Sequence, residues 1–245
     1  MKTARLLLFA LSTVAHASVL SAQHLHPTTK TDSGRMVGMA DEAMSGMTSA
    51  NARKHLVLSP TRGATHDDSA RAWAVVRELR TALAKYRDTT AAVADGYRMF
   101  MPNVKTQHTY HFTNYRNAFL EAFRFDATRP TSILYERDAS GHLKLVGAMY
   151  SAPRRTRLGR LDGRVPLSIA RWHKHVNWCT PPKGAFERWG EWKDGTPVFG
   201  PESPVATKQA CDDVGGDFHE NLFGWMIHAN VFAGDDLTTI FGHEH

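Results

Sequence analysis

Thr131-Ser-Ile-Leu-Tyr-Glu136 and Leu143-Lys-Leu-Val-Gly-Ala-Met-Tyr150 flank the segment Arg137-Asp-Ala-Ser-Gly-His142. Both outer runs are rich in apolar, β-branched and aromatic residues, and the segment between them carries Asp, Ser and Gly, which turn a chain. The pattern is an antiparallel hairpin. A lone hairpin is marginal in water and needs further strands or helices to cover it, so the fold is read by asking which neighbouring segments can do so.

On the N-terminal side, His108-Thr-Tyr-His111-Phe-Thr-Asn114-Tyr115 alternates polar and aromatic residues as a partly buried strand does, before a short helical run toward Phe123. On the C-terminal side, Val165 to Trp178 and Leu222 to Phe232 read as further strands, separated by a Pro- and Gly-punctuated segment and a short helix from Ala206 to Asp213 that Gly215-Gly216 ends. From Asp68 to Arg87, Ala72, Val75, Val76, Leu79, Ala82, Leu83 and Tyr86 recur at spacings of three and four, the stripe of an amphipathic helix. Thr65, Asp67 or Ser69 can cap its start, and Asp88 opens a second short helix that ends at Gly96. The fold class expected is α+β, with a mainly antiparallel sheet, helices packed to one side and a single disulfide. No internal repeat is visible.

The chain has 245 residues, 42% of them hydrophobic, enough to bury one core. Its start carries Lys2 and Arg5, then an apolar run from Leu6, then small residues up to Ala22. This is a secretory signal pattern over residues 1–22, too short to span a membrane. Export to a periplasmic or extracellular space is expected, with no membrane span in the mature protein. Residues 23–59 lack periodicity and read as a flexible leader containing His24, His26, Met36, Met39, Met44 and Met47, soft groups suited to copper. A single domain is expected over residues 60–245.

The formal charge of +6 falls to +4 once Lys2 and Arg5 are removed, which demands no nucleic-acid partner. Positive charge gathers at Arg154, Arg155, Arg157, Arg160 and Arg164, read as a solvated loop or as a seat for an anionic ligand or surface. Two cysteines, Cys179 and Cys211, suggest one bridge in an oxidising compartment, with Cys179 as a metal thiolate the competing assignment. The sequence sets no oligomeric state.

Chemically capable side chains concentrate in Arg171-Trp-His-Lys-His-Val-Asn-Trp-Cys179. On a strand, His173 and His175 point to one face, and with His111 and His228 from neighbouring strands they would supply imidazoles to a zinc or copper ion. Asn114 is a candidate to orient a ring. Glu220, beside His219, is the candidate base for a metal-bound water. No Gly-x-Ser-x-Gly elbow, phosphate loop or dinucleotide fingerprint is present. His243-Glu-His245 can also pick up added metal. The leading expectation is an exported metal-binding protein, possible metalloenzyme chemistry included. The alternative is a non-enzymatic module whose exposed Trp172, Trp178, Trp189 and Trp192 hold a carbohydrate, peptide, small molecule or hydrophobic partner.

The runs His111-Phe-Thr-Asn114, Asp126-Ala-Thr-Arg-Pro130, Leu134-Tyr135, Leu145-Val-Gly147 and Tyr150-Ser-Ala-Pro153, with the late Trp225-Met-Ile-His228, resemble a family of exported bacterial proteins of unknown function. Those proteins are similar in their His-aromatic-x-Asn run and in the Asp-Pro-rich approach to a hairpin. The resemblance covers about half the chain and implies no activity, and the segment from Trp172 to Cys179 lies outside it.

Overall fold

A computed structural model describes residues 50–102, 107 and 109–242, all within one compact unit. The signal pattern, most of the leader with its Met and His residues, and His243-Glu-His245 lie outside the described residues.

Eight strands form one sheet in the order β1-β6-β10-β5-β4-β3-β2, with β9 pairing the C-terminal part of β6 beyond β10. The strands are β1 (Leu56–Leu58), β2 (Arg98–Met99), β3 (Thr109–Thr113), β4 (Ser132–Arg137), β5 (Leu143–Ala152), β6 (His173–Thr180), β9 (Asp217–Asn221) and β10 (Trp225–Ala229), while β7 (Trp192–Lys193) and β8 (Thr196–Pro197) make a separate small hairpin. Every pairing among them is antiparallel. The hairpin expected from the sequence is β4–β5, with a register shift at Leu134/Tyr135 that leaves Val146 as the extra residue.

Among the described residues there are six α-helices: α1 (Asp68–Leu83), α2 (Thr89–Ala94), α3 (Tyr115–Glu121), α4 (Leu158–Asp162), α5 (Lys208–Asp213) and α6 (Leu237–Phe241). Helix α1 is the main cover of one face, on which Ala72, Val76, Leu79 and Leu83 meet Ile133, Tyr135, Ala148, Tyr150 and Ile227 in the principal core. Of its three expected caps, Asp67 takes the cap position but makes no side-chain bond to the helix end. Asp68 instead accepts the Thr65 N–H at 2.7 Å, the Ser168 hydroxyl at 2.7 Å and the Arg62 guanidinium at 2.6 and 2.8 Å. Those donors hold its buried carboxyl far below the usual carboxylate range.

Three differences from the sequence reading have physical causes. Residues 52–58, read from the sequence as leader, belong to the fold: a 3-10 turn at Ala52–His55 buries His55 beside the carbonyls of Asn177 and Ser203, and β1 then pairs with β6. Strand β6 begins only at His173, because Val165 to Ala170 is held in turns by bonds to Leu161 and Pro166. Arg164 is not part of a solvated loop. Its buried guanidinium donates to Glu121 O at 2.7 Å and to Ser151 O at 2.8 Å, tying α3 to the end of β5.

Cys179 and Cys211 are bridged, with Cα atoms 5.5 Å apart, so Cys179 is not a thiolate ligand. The bridge fastens α5 to β6 inside a second small core with Val198 and Phe199. Gly216 is required beside it, since a Cβ there would lie 2.5 Å from Cys179 Sγ. Among the described residues no helix is long and apolar enough to cross a membrane.

Candidate metal centre

Strand register brings the four sequence-predicted histidines to one face. Met226 on β10 pairs with His173 on β6, His228 pairs with Met149 on β5, and His111 on β3 pairs with Leu134 on β4. Directly opposed residues share a face, as do residues two apart on a strand. His111, His173, His175 and His228 therefore all leave the sheet on the side away from α1. Beneath them Leu134, Val146, Met149 and Met226 form a buried apolar floor.

The rings touch in a chain. Centroids lie 5.1 Å apart for His173 and His175, 5.4 Å for His173 and His228, and 5.4 Å for His228 and His111. His173, His175 and His228 are buried, at 0%, 9% and 6% residue exposure, and His111 is partly buried. The Nδ1 of His111 lies 3.3 Å from Thr109 O, and a carbonyl only accepts, so Nδ1–H donates and Nε2 keeps the lone pair of the neutral ring. Desolvation pushes the pKa of His111 down to about 4, against the smaller opposing effect of that bond. A neutral imidazole with one nitrogen tied to a carbonyl is the ligand form of histidine.

The rings pack edge-to-face or tilted, and as they stand no group of three or more His, Cys, Asp or Glu among the described residues is disposed to hold a metal ion. Rotation about χ2, a broad two-fold torsion, redirects imidazole nitrogens without moving a strand. Each of the three adjacent spacings is close to the about 5 Å that separates the centroids of two imidazoles on one tetrahedral zinc at about 2.1 Å.

Two other expected participants are elsewhere. Asn114 caps α3, accepting from Asn117 N at 3.1 Å and donating to Asp95 O at 3.1 Å, so it orients no histidine. Glu220 is exposed on β9, outside the buried ring cluster, while its neighbour His219 bonds Thr180 Oγ1 at 3.0 Å.

The aromatic residues divide. Trp172 is fully buried in the principal core and Trp192 is 68% exposed on the small hairpin, so the four tryptophans do not line one groove. Asn177 has φ 55°, a left-handed conformation that Asn tolerates, and this re-aims Trp178 so that its ring meets His175 at 4.8 Å. Trp178 and Trp189 then join Phe100, Phe186, Leu222 and Phe223 around an apolar cavity of about 290 Å³. Phe223 also lies 6.4 Å from His175, so the cavity and the histidine cluster share two walls.

Sequence reasoning passed over Glu121. Its buried carboxyl accepts from Thr131 Oγ1, Ser151 N (2.9 Å) and Ser151 Oγ (3.2 Å), and burial pushes its pKa up to about 7. The surrounding Tyr115, Phe119 and Phe123 would conventionally mark the buried side of α3, yet they are the exposed ones. Comparison with protein-family models, with curated proteins and with solved structures finds no match.

Proposed function

We propose that this is an exported transition-metal-binding protein whose ion is held by His111, His173, His175 and His228. The observation that carries this reading is the shared sheet face, on which four imidazoles from three strands stand at ring spacings of 5.1 to 5.4 Å. The metal favoured is copper. Met226 stands directly opposite His173 and Met149 directly opposite His228, so two thioethers share the face, and soft sulfur beside imidazole suits Cu(I) better than zinc.

A second reading is favoured by the 290 Å³ cavity, which supports the seating of a small apolar molecule between Trp178, Trp189 and Phe223 beside His175. The two readings are compatible, because the cavity opens next to the cluster and not through it.

The test is calorimetric titration of the full chain with Cu(I) and with Zn(II), alongside the double variant His173→Gln/His228→Gln. Metal bound by the N-terminal Met and His residues or by His243 and His245 is common to both chains. The difference isolates the cluster: loss of about one equivalent supports the reading, and a difference under a tenth of an equivalent for both metals refutes it.

A further inference from the structure

Helix α3 inverts the usual arrangement of a surface helix. Tyr115, Phe119 and Phe123, at its start, its end and just beyond, are 68%, 65% and 67% exposed, while Glu121 is buried. Phe119 and Phe123 stack on each other at 5.2 Å in an edge-to-face pair that faces solvent. Leu158, at the start of α4, adds a further exposed apolar side chain at 41%.

These groups adjoin the arginine-rich turn. Arg160 Nη2 donates to Phe123 O at 3.4 Å, and the buried Arg164 holds the end of α3 to β5 immediately before that turn begins. Arg154, Arg155, Arg157 and Arg160 are all exposed, and none has a carboxylate within salt-bridge distance among the described residues. The nearby acids are committed elsewhere: Asp162 to Arg62 at 2.6 Å, and Asp126 toward Arg129 at 3.9 Å. One region thus exposes several large apolar groups and a cluster of uncompensated positive charge.

We propose that this surface docks the protein onto an anionic lipid bilayer. Large aromatic rings exposed in a group are costly in water unless they meet a partner. Aromatic tips entering the headgroup boundary, with arginines on anionic headgroups beside them, are the two contributions that hold a peripheral protein on a membrane. The chemistry favours a lipid surface over an acidic protein. Phe119 and Phe123 stack on one another and face solvent, and the arginines carry diffuse charge that needs no shaped complement. The proposal does not depend on metal binding.

The experiment is flotation of the full chain with vesicles of equimolar phosphatidylcholine and phosphatidylglycerol, and with phosphatidylcholine alone. Any contribution of the apolar N-terminal run is common to every chain compared. The expected result is binding to the anionic vesicles that weakens at least tenfold in Phe119→Ser/Phe123→Ser and at least tenfold in Arg155→Gln/Arg157→Gln, with circular dichroism unchanged. In a second chain, Phe119→Trp, fluorescence beyond that of the native tryptophans should be quenched by lipids brominated in the acyl chain. Equal binding by wild type and the aromatic variant overturns the proposal, as does absence of the quenching. If dextran sulfate displaces the protein and only the arginine variant matters, the turn is a general polyanion site and the lipid assignment is wrong.

Discussion

The imidazoles of His111 and His228 lie 5.4 Å apart, centroid to centroid, although β4 and β5 stand between their strands. Three steps across a flat sheet would separate those strands by about 14 Å. The sheet must therefore curl about the histidine face, and the bulge at Val146 next to Gly147 supplies curvature where it is needed.

Gly147 is accordingly a sensitive position. A Cβ there would lie 2.2 Å from Ala229 O and 2.7 Å from Asn230 Cα, both backbone atoms at the end of the strand that carries His228. Gly147→Ala should destabilise the protein by about 2–4 kcal/mol, as other severe overpacking does. Thermal unfolding checks this, and an unchanged midpoint would contradict the close approach.

Met149→Leu and Met226→Leu should separate ligation from packing. Leu and Met are similar in volume, so each replacement should cost less than about 1.5 kcal/mol of stability. If the thioethers lie near the ion, Cu(I) affinity should fall about tenfold or more while Zn(II) affinity stays the same. Equal losses for the two metals would assign both methionines to the floor alone.

Glu121 and His111 give stability slopes of opposite sign with pH. The folded pKa of Glu121 is raised from 4.5 to about 7, so its contribution is fully present below about 4.5 and is lost as pH rises toward 7. The folded pKa of His111 is depressed from 6.5 to about 4, so stability is lost as pH falls through that interval. The two partly cancel between about 4.5 and 6.5. Glu121→Gln removes the first, a slope worth at most about 3 kcal/mol, and urea unfolding of that variant should show stability rising with pH across this window. A profile parallel to wild type would show that Glu121 titrates normally.

Reducing the bridge between Cys179 and Cys211, 32 residues apart, should cost about 3–4 kcal/mol in the chain-entropy view. The loss should concentrate in the small core with Val198 and Phe199, where Trp189 also packs, and so open the aromatic cavity. Hydrogen exchange before and after reduction measures it; uniform loss of protection across the sheet would contradict this placement.

The strands β3, β4, β5 and β10 and the helix α1 were legible because alternation and three-four spacing report directly which side of an element meets the core. The same parity placed His173 and His175 together. Convergence of His111 and His228 on them depends on strand order, which no local pattern encodes. Glu121 was illegible because Phe119 and Phe123 mislead any reading that sends aromatics inward. β1 has no local signature because three residues, Leu56 to Leu58, are too short for a period, and their pairing partner lies more than a hundred residues away. The turn of Trp178 toward His175 depends on one left-handed residue, Asn177, and so carries no composition signal.

X-ray absorption at the metal edge of the loaded full chain tests the central claim most directly. The account predicts the multiple-scattering pattern of at least two imidazoles with nitrogens at about 2.0–2.1 Å, lost in His173→Gln/His228→Gln. A spectrum without imidazole scattering, or one that the double substitution leaves unchanged, would show that the histidine face is a packed structural surface and that any metal binds elsewhere.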